Sequence, residues 1–100
     1  DETLVRFVRR FSECRVAVVG DLMLDRYIWG RATRISQEAP VPVVRTVRET
    51  QTPGGAANVV RNIRGLEGQV AAFGVVGADP AGTDLIRLLR ECGAGTEGIV

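Results

Sequence analysis

The chain has 100 residues, 45% hydrophobic and 25% charged, with a formal net charge of +1, the composition of a globular chain too short for a second core. So small a net charge, on arginines scattered among acids, sets up no field that would draw the molecule onto nucleic acid or an anionic membrane. All 13 basic residues are arginine and histidine is absent, which removes P-loop and Schiff-base lysines, Ser-His-Asp and Cys-His nucleophile sets, and, with only Cys14 and Cys92 far apart, a zinc cluster.

Two isolated cysteines read as reduced, buried or half-buried thiols of a cytoplasmic protein. No apolar run approaches the ~18 residues of a membrane span, and the N-terminus lacks a signal-peptide layout.

In residues 3–12, Leu4, Phe7, Val8 and Phe11 recur at i, i+3, i+4 and i+7 with Arg6, Arg9 and Arg10 elsewhere, which predicts an amphipathic helix packed through its apolar stripe. RVAVVG, 15–20, is a short β-branched run ending in Gly-Asp, the pattern of a buried parallel strand whose carboxyl end opens toward a ligand. Asp21 and Asp25 are expected in the loop just past it. Residues 26–49 hold two β-rich stretches around the polar SQEAP, and Pro40 and Pro42 cannot donate ladder hydrogen bonds, so this segment predicts a projecting edge hairpin or flap.

Thr52-Pro53-Gly54-Gly55 reads as a chain break, after which Ala56, Val59, Val60, Ile63 and Leu66 fall at helical spacing. A buried strand is expected over 70–76. Asp79-Pro80 is an N-cap and N1 pair opening a helix whose stripe is Leu85, Leu88, Leu89 and Cys92, closed by Gly93. Gly98 to Val100 reads as the start of a third core strand. Strands alternating with helices predict an α/β layered fold with a mostly parallel sheet; three short strands and three helices cover both faces poorly, which makes the chain a portion of a larger domain. Gly93, Gly95 and Gly98 form a Gly-x-Gly-x-x-Gly, but after a helix and before a strand, the reverse of a dinucleotide site.

The motifs GDLMLDRY (20–27), TPGGAANVVRNIRG (52–65) and GVVGADPAG (74–82) together resemble the ribokinase, or phosphofructokinase-B, family of sugar kinases over nearly the whole chain. RISQEAPVPVV (34–44) resembles in particular the heptose 7-phosphate kinase branch of ADP-heptose synthesis. The resemblance implies a ribokinase-like fold with a β flap, a sugar phosphate as the small-molecule partner, conversion of heptose 7-phosphate to the 1,7-bisphosphate for lipopolysaccharide core synthesis, and a homodimer joined through the flap. ATP and Mg²⁺ are implied for the complete enzyme. The catalytic base, anion hole and adenine pocket belong to the later part of that fold, which has no counterpart in these 100 residues. The chain alone is therefore expected to be inactive, with no catalytic residue and no metal ligand of its own.

Residue by residue, Asp25 matches the sugar-binding aspartate, Gly54 and Gly55 the diglycine whose backbone lies against the sugar, and Asn58 the amide one turn on. The chemistry is sensible, because a carboxylate accepts two hydroxyls and an amide offers both a donor and an acceptor. Taken singly, Asp25 is as readily a turn carboxylate, the glycines a helix-start turn, and Asn58 a solvent-facing residue. Asp21 is a secondary candidate, better suited to bonding nearby backbone amides. Arg34 and the other flap arginines can grip a phosphate or merely keep an edge strand soluble; Trp29 and Tyr27 can close over a sugar or join two flaps. Val60 and Glu67 depart from the family pattern, which expects a small residue and a glycine or serine there. The alternative from another class is a non-catalytic α/β interaction module that self-associates through the flap.

Overall fold

The structure is a computed structural model that describes residues 1–35 and 42–100, with the side chains of 31–47 outside the described set. In chain order it runs α1 (Glu2–Arg9), a 3-10 turn (Arg10–Glu13), β1 (Arg15–Val19), β2 (Leu22–Ile35), β3 (Pro42–Gly55), α2 (Ala56–Gly65), β4 (Gln69–Gly74), α3 (Pro80–Glu91) and β5 (Gly95–Ile99).

The central sheet has the order β1-β4-β5 and is parallel throughout, with Arg15 to Val19 in register with Gln69 to Phe73, and Ala71 and Gly74 opposite Gly95 and Ile99. Both parallel links are crossovers that carry a helix, as parallel pairing demands. Helices α2 and α3 lie on one face, where Ala57, Val60, Val70, Ala72, Leu85, Leu89 and Ala94 form the core. Fully burying Val60 and Leu89 contributes about 1.5–3 kcal/mol each. Alternation along β4 sends Ala71 and Phe73 to the opposite face with Ala17 and Val19; there Val19 is 78% exposed and Phe73 39%. The expectation of a thinly covered sheet is met on this side.

Several expectations need adjusting. The helix expected over 3–12 stops at Arg9, and most of its stripe is uncovered: Leu4 is 64% exposed and Phe7 59%, while Phe11, in the 3-10 turn that follows, is half-buried. Spacing identifies the apolar side of a helix, whereas its cover must come from tertiary neighbours. Cys14 is exposed rather than buried, Cys92 is half-buried, and both thiols are free. The third core strand begins at Gly95, so Gly95 and Gly98 of the glycine motif lie within β5, and Gly93, at φ +93°, makes the turn out of α3. The Asp79 carboxylate caps α3 by accepting from Gly82 N–H at 2.8 Å, as Asp79-Pro80 predicts. Val60 packs without exposure. Glu67 adopts φ 70°, a left-handed conformation in which glycine is cheaper.

The flap is longer than 26–49. β2 and β3 form their own two-stranded antiparallel ribbon, paired from Leu22 with Gly55 to Ile35 with Pro42. Thr52-Pro53-Gly54-Gly55 is thus the end of a strand and not a break. Each strand of a two-stranded ribbon is an edge, so Pro53 opposite Leu24 breaks no inner ladder. The radius of gyration, 18.7 Å, exceeds the roughly 13 Å of a compact 100-residue domain because the ribbon projects.

Candidate functional site

The ribbon leaves the carboxyl end of β1, where Gly20 N–H donates to the Phe73 carbonyl at 3.3 Å and the chain turns directly into β2. Open α/β sheets bind ligands at this end. One face of the ribbon is tied to the body: Leu22 and Leu24 pack against the core, and Gln51 Nε2 donates to Asp84 Oδ2 of α3 at 3.2 Å. Period-two alternation therefore turns Met23, Asp25, Tyr27 and Trp29 the other way, with their partners Gly54, Thr52, Thr50 and Arg48.

Asp25 is within β2, not in a loop. Its carboxylate reaches diagonally over Gly54, and a Cβ built on Gly54 would stand 2.6 Å from Asp25 Cγ. Gly54 thus makes room for the carboxylate. Gly55, at φ 56°, ψ −133°, is the N-cap of α2, and its own Cβ would meet the Asp21 carbonyl and the Met23 side chain. That carbonyl accepts the Ala56 N–H at 2.8 Å, so Asp21 holds the helix start through its backbone. Asn58, in the first turn of α2, is half-buried and accepts from Arg61 Nη2 at 3.2 Å.

Farther along the same ribbon face, Trp29 Nε1 donates to Thr50 Oγ1 at 3.4 Å, and the Arg48 guanidinium lies 4.6 Å from the Trp29 ring centroid. Tyr27 and Trp29 are 49% and 50% exposed. The side chain of Arg34 lies outside the described residues.

The structure thus brings Asp25 against Gly54, joins Gly54 through Gly55 to the helix that carries Asn58, and places Trp29 on the Asp25 face. Sequence reasoning missed Thr52, Thr50 and Arg48 as members of that face. The signal lay in the alternation of 48, 50, 52 and 54, which the Pro-Gly-Gly reading of this stretch concealed. On that face a carboxylate, hydroxyls and a half-exposed aromatic suit a polyol: the polar groups take hydroxyls, and the ring covers C–H surface. Among the described residues no three His, Cys, Asp or Glu side chains converge as metal ligands.

The pfkB family carbohydrate kinase model matches residues 14–100. The chain belongs to this family. Its pfkB-type sequence is 54% identical over 93 residues to the bifunctional protein HldE of Citrifermentans bemidjiense, covering 93% of this chain and 19% of that protein. It is 53% identical over 88 residues to the D-beta-D-heptose 7-phosphate kinase of Bordetella bronchiseptica, covering 88% and 28%. The chain therefore spans less than a third of the length of either relative. The fold is ribokinase-like, as the motifs implied. A ribokinase-type structure from Agrobacterium tumefaciens superposes with a TM-score of 0.66 at 26% identity, over 87% of this chain and 28% of that one. The fructokinase of Xylella fastidiosa superposes with 0.60 at 25% identity, over 86% and 24%.

Proposed function

We propose that this chain is the sugar-binding N-terminal portion of an ATP-dependent carbohydrate kinase that phosphorylates a heptose phosphate, heptose 7-phosphate to the 1,7-bisphosphate, for lipopolysaccharide core synthesis in the cytoplasm. The observation that carries the reading is the seating of Asp25 on Gly54 at the carboxyl end of the parallel sheet, two residues before the helix that bears Asn58. The names of the relatives HldE and heptose 7-phosphate kinase support the substrate class. In this reading Asp25 accepts sugar hydroxyls, Asn58 adds a donor and an acceptor, and Gly54 and Gly55 shape the pocket. Asp21, Trp29 and Arg34 are secondary contacts.

In the complete enzyme ATP would donate the phosphoryl group, Mg²⁺ would neutralise phosphate charge, and this portion would position the sugar. The 100 residues alone bind sugar and transfer no phosphoryl group. Incubating the purified chain with ATP and heptose 7-phosphate is expected to release no ADP above background, and sugar-dependent ADP release overturns this point. Calorimetric binding of heptose 7-phosphate, abolished or weakened at least tenfold in Asp25→Ala and Asn58→Ala, tests the pocket itself.

A second reading is favoured by the exposure of Tyr27, Ile28 and Trp29, each at least 49% accessible: the flap joins two copies, either as the kinase homodimer or as the whole function of a non-catalytic module. Trp29→Ala then lowers the sedimentation mass at fixed concentration. A pure interaction module would show that change and ignore Asp25→Ala.

A further inference from the structure

We infer that Arg48, held on the ring of Trp29, anchors the phosphate of the sugar phosphate, so that the flap reads the phosphorylated end of the substrate while Asp25 reads its hydroxyls. This deepens the sugar-kinase reading above and rests on it.

The ribbon register carries the assignment. Asp25 pairs with Thr52 and Trp29 with Arg48, with no irregularity between them, so all four share the face turned from the core. The two pairs lie four positions apart along the strand, about 13 Å at the usual rise. An extended sugar phosphate and a reaching arginine side chain together span that gap.

Charge sets the direction. A phosphate is repelled by the Asp25 carboxylate, so a sugar phosphate whose hydroxyls meet Asp25 points its phosphate away, along the ribbon toward Arg48. Among the described residues Arg48 is the cation on this ribbon face. Arg26, opposite Gln51, has the other parity, and Arg61 is engaged with Asn58 on α2. No carboxylate pairs with Arg48 among the described residues. Its guanidinium rests on the indole, which is itself fixed by the bond to Thr50. A guanidinium held over a ring is partly pre-ordered and keeps N–H donors for a bidentate grip on phosphate.

The test uses the chain's one tryptophan, whose emission reports on the ring that Arg48 covers. Heptose 7-phosphate, unphosphorylated heptose and inorganic phosphate are titrated into the wild type, Arg48→Gln, Arg61→Gln and Asp25→Ala, and affinities are checked by calorimetry. The expected result is a saturable emission change with heptose 7-phosphate, and an affinity for it about tenfold lower in Arg48→Gln, while free heptose binds both proteins alike. Arg48→Lys keeps the charge without the fork, falls between the two, and serves if Arg48→Gln does not fold. Equal binding of heptose 7-phosphate by the wild type and Arg48→Gln overturns the inference. So does an equal loss for both sugars, or a phosphate-selective loss in Arg61→Gln instead. If neither sugar binds, or Asp25→Ala changes nothing, the sugar pocket itself fails and the inference with it. That pattern differs from one in which Asp25→Ala weakens both sugars and Arg48→Gln weakens neither.

Discussion

The carboxylate of Asp25 occupies the space that a side chain on Gly54 would take, with Asp25 Oδ1 2.8 Å from where a Cβ would stand. A residue pair on neighbouring strands is thereby coupled sterically as well as chemically, and the coupling is open to test.

Gly54→Ala is expected to dislodge Asp25 and to lower heptose 7-phosphate affinity about as much as Asp25→Ala does. Because both changes disable one carboxylate, the double variant is expected to be no weaker than the worse single one, a coupling that isothermal calorimetry on the four proteins reads directly. Full additivity would mean that Gly54 serves the ligand independently.

Gly55 has a different task. At φ 56° and against the Asp21 carbonyl, Gly55→Ala strains the start of α2, and the expected loss is about 1–3 kcal/mol in urea unfolding. Unchanged stability would show that the ribbon-to-helix turn can relax.

Glu67 offers the opposite sign. Its φ of 70° is one that glycine adopts without a Cβ penalty, so Glu67→Gly is expected to stabilise by up to about 1 kcal/mol, offset in part by the greater freedom of glycine in the unfolded chain. The melting temperature is expected to rise by a few degrees; a fall would show that the side chain contributes something the conformation does not reveal.

The two apolar stripes should separate cleanly. Leu89→Ala empties a fully buried position of α3 and is expected to cost about 2–5 kcal/mol. Phe7→Ser alters a residue 59% exposed on α1, so its stability effect is expected within about 0.5 kcal/mol, while light scattering by concentrated solutions falls as an apolar patch is removed. A large loss of stability in Phe7→Ser would place α1 in the core.

Much of this molecule was legible one residue at a time. The β-branched run before Gly20, the Asp79-Pro80 start of α3, the stripe Leu85 and Leu89, and the motifs that mark the pfkB family are local patterns, and local backbone preference and side-chain periodicity are written in the order of residues. What the order of residues left undecided was every pairing at a distance. Whether Pro53-Gly54-Gly55 breaks a chain or ends a strand depends on the partner it meets, here Leu24, Met23 and Leu22. Which of Arg26 and Arg48 shares a face with Asp25 depends on register, since a slip of one residue moves a side chain across the ribbon. Whether the stripe of α1 is buried depends on which surfaces lie beside it. Side-chain chemistry is local and so was read from the sequence; the juxtaposition of Asp25 with Gly54, and of Arg48 with Trp29, joins residues more than fifteen positions apart, and only the folded ribbon decides it.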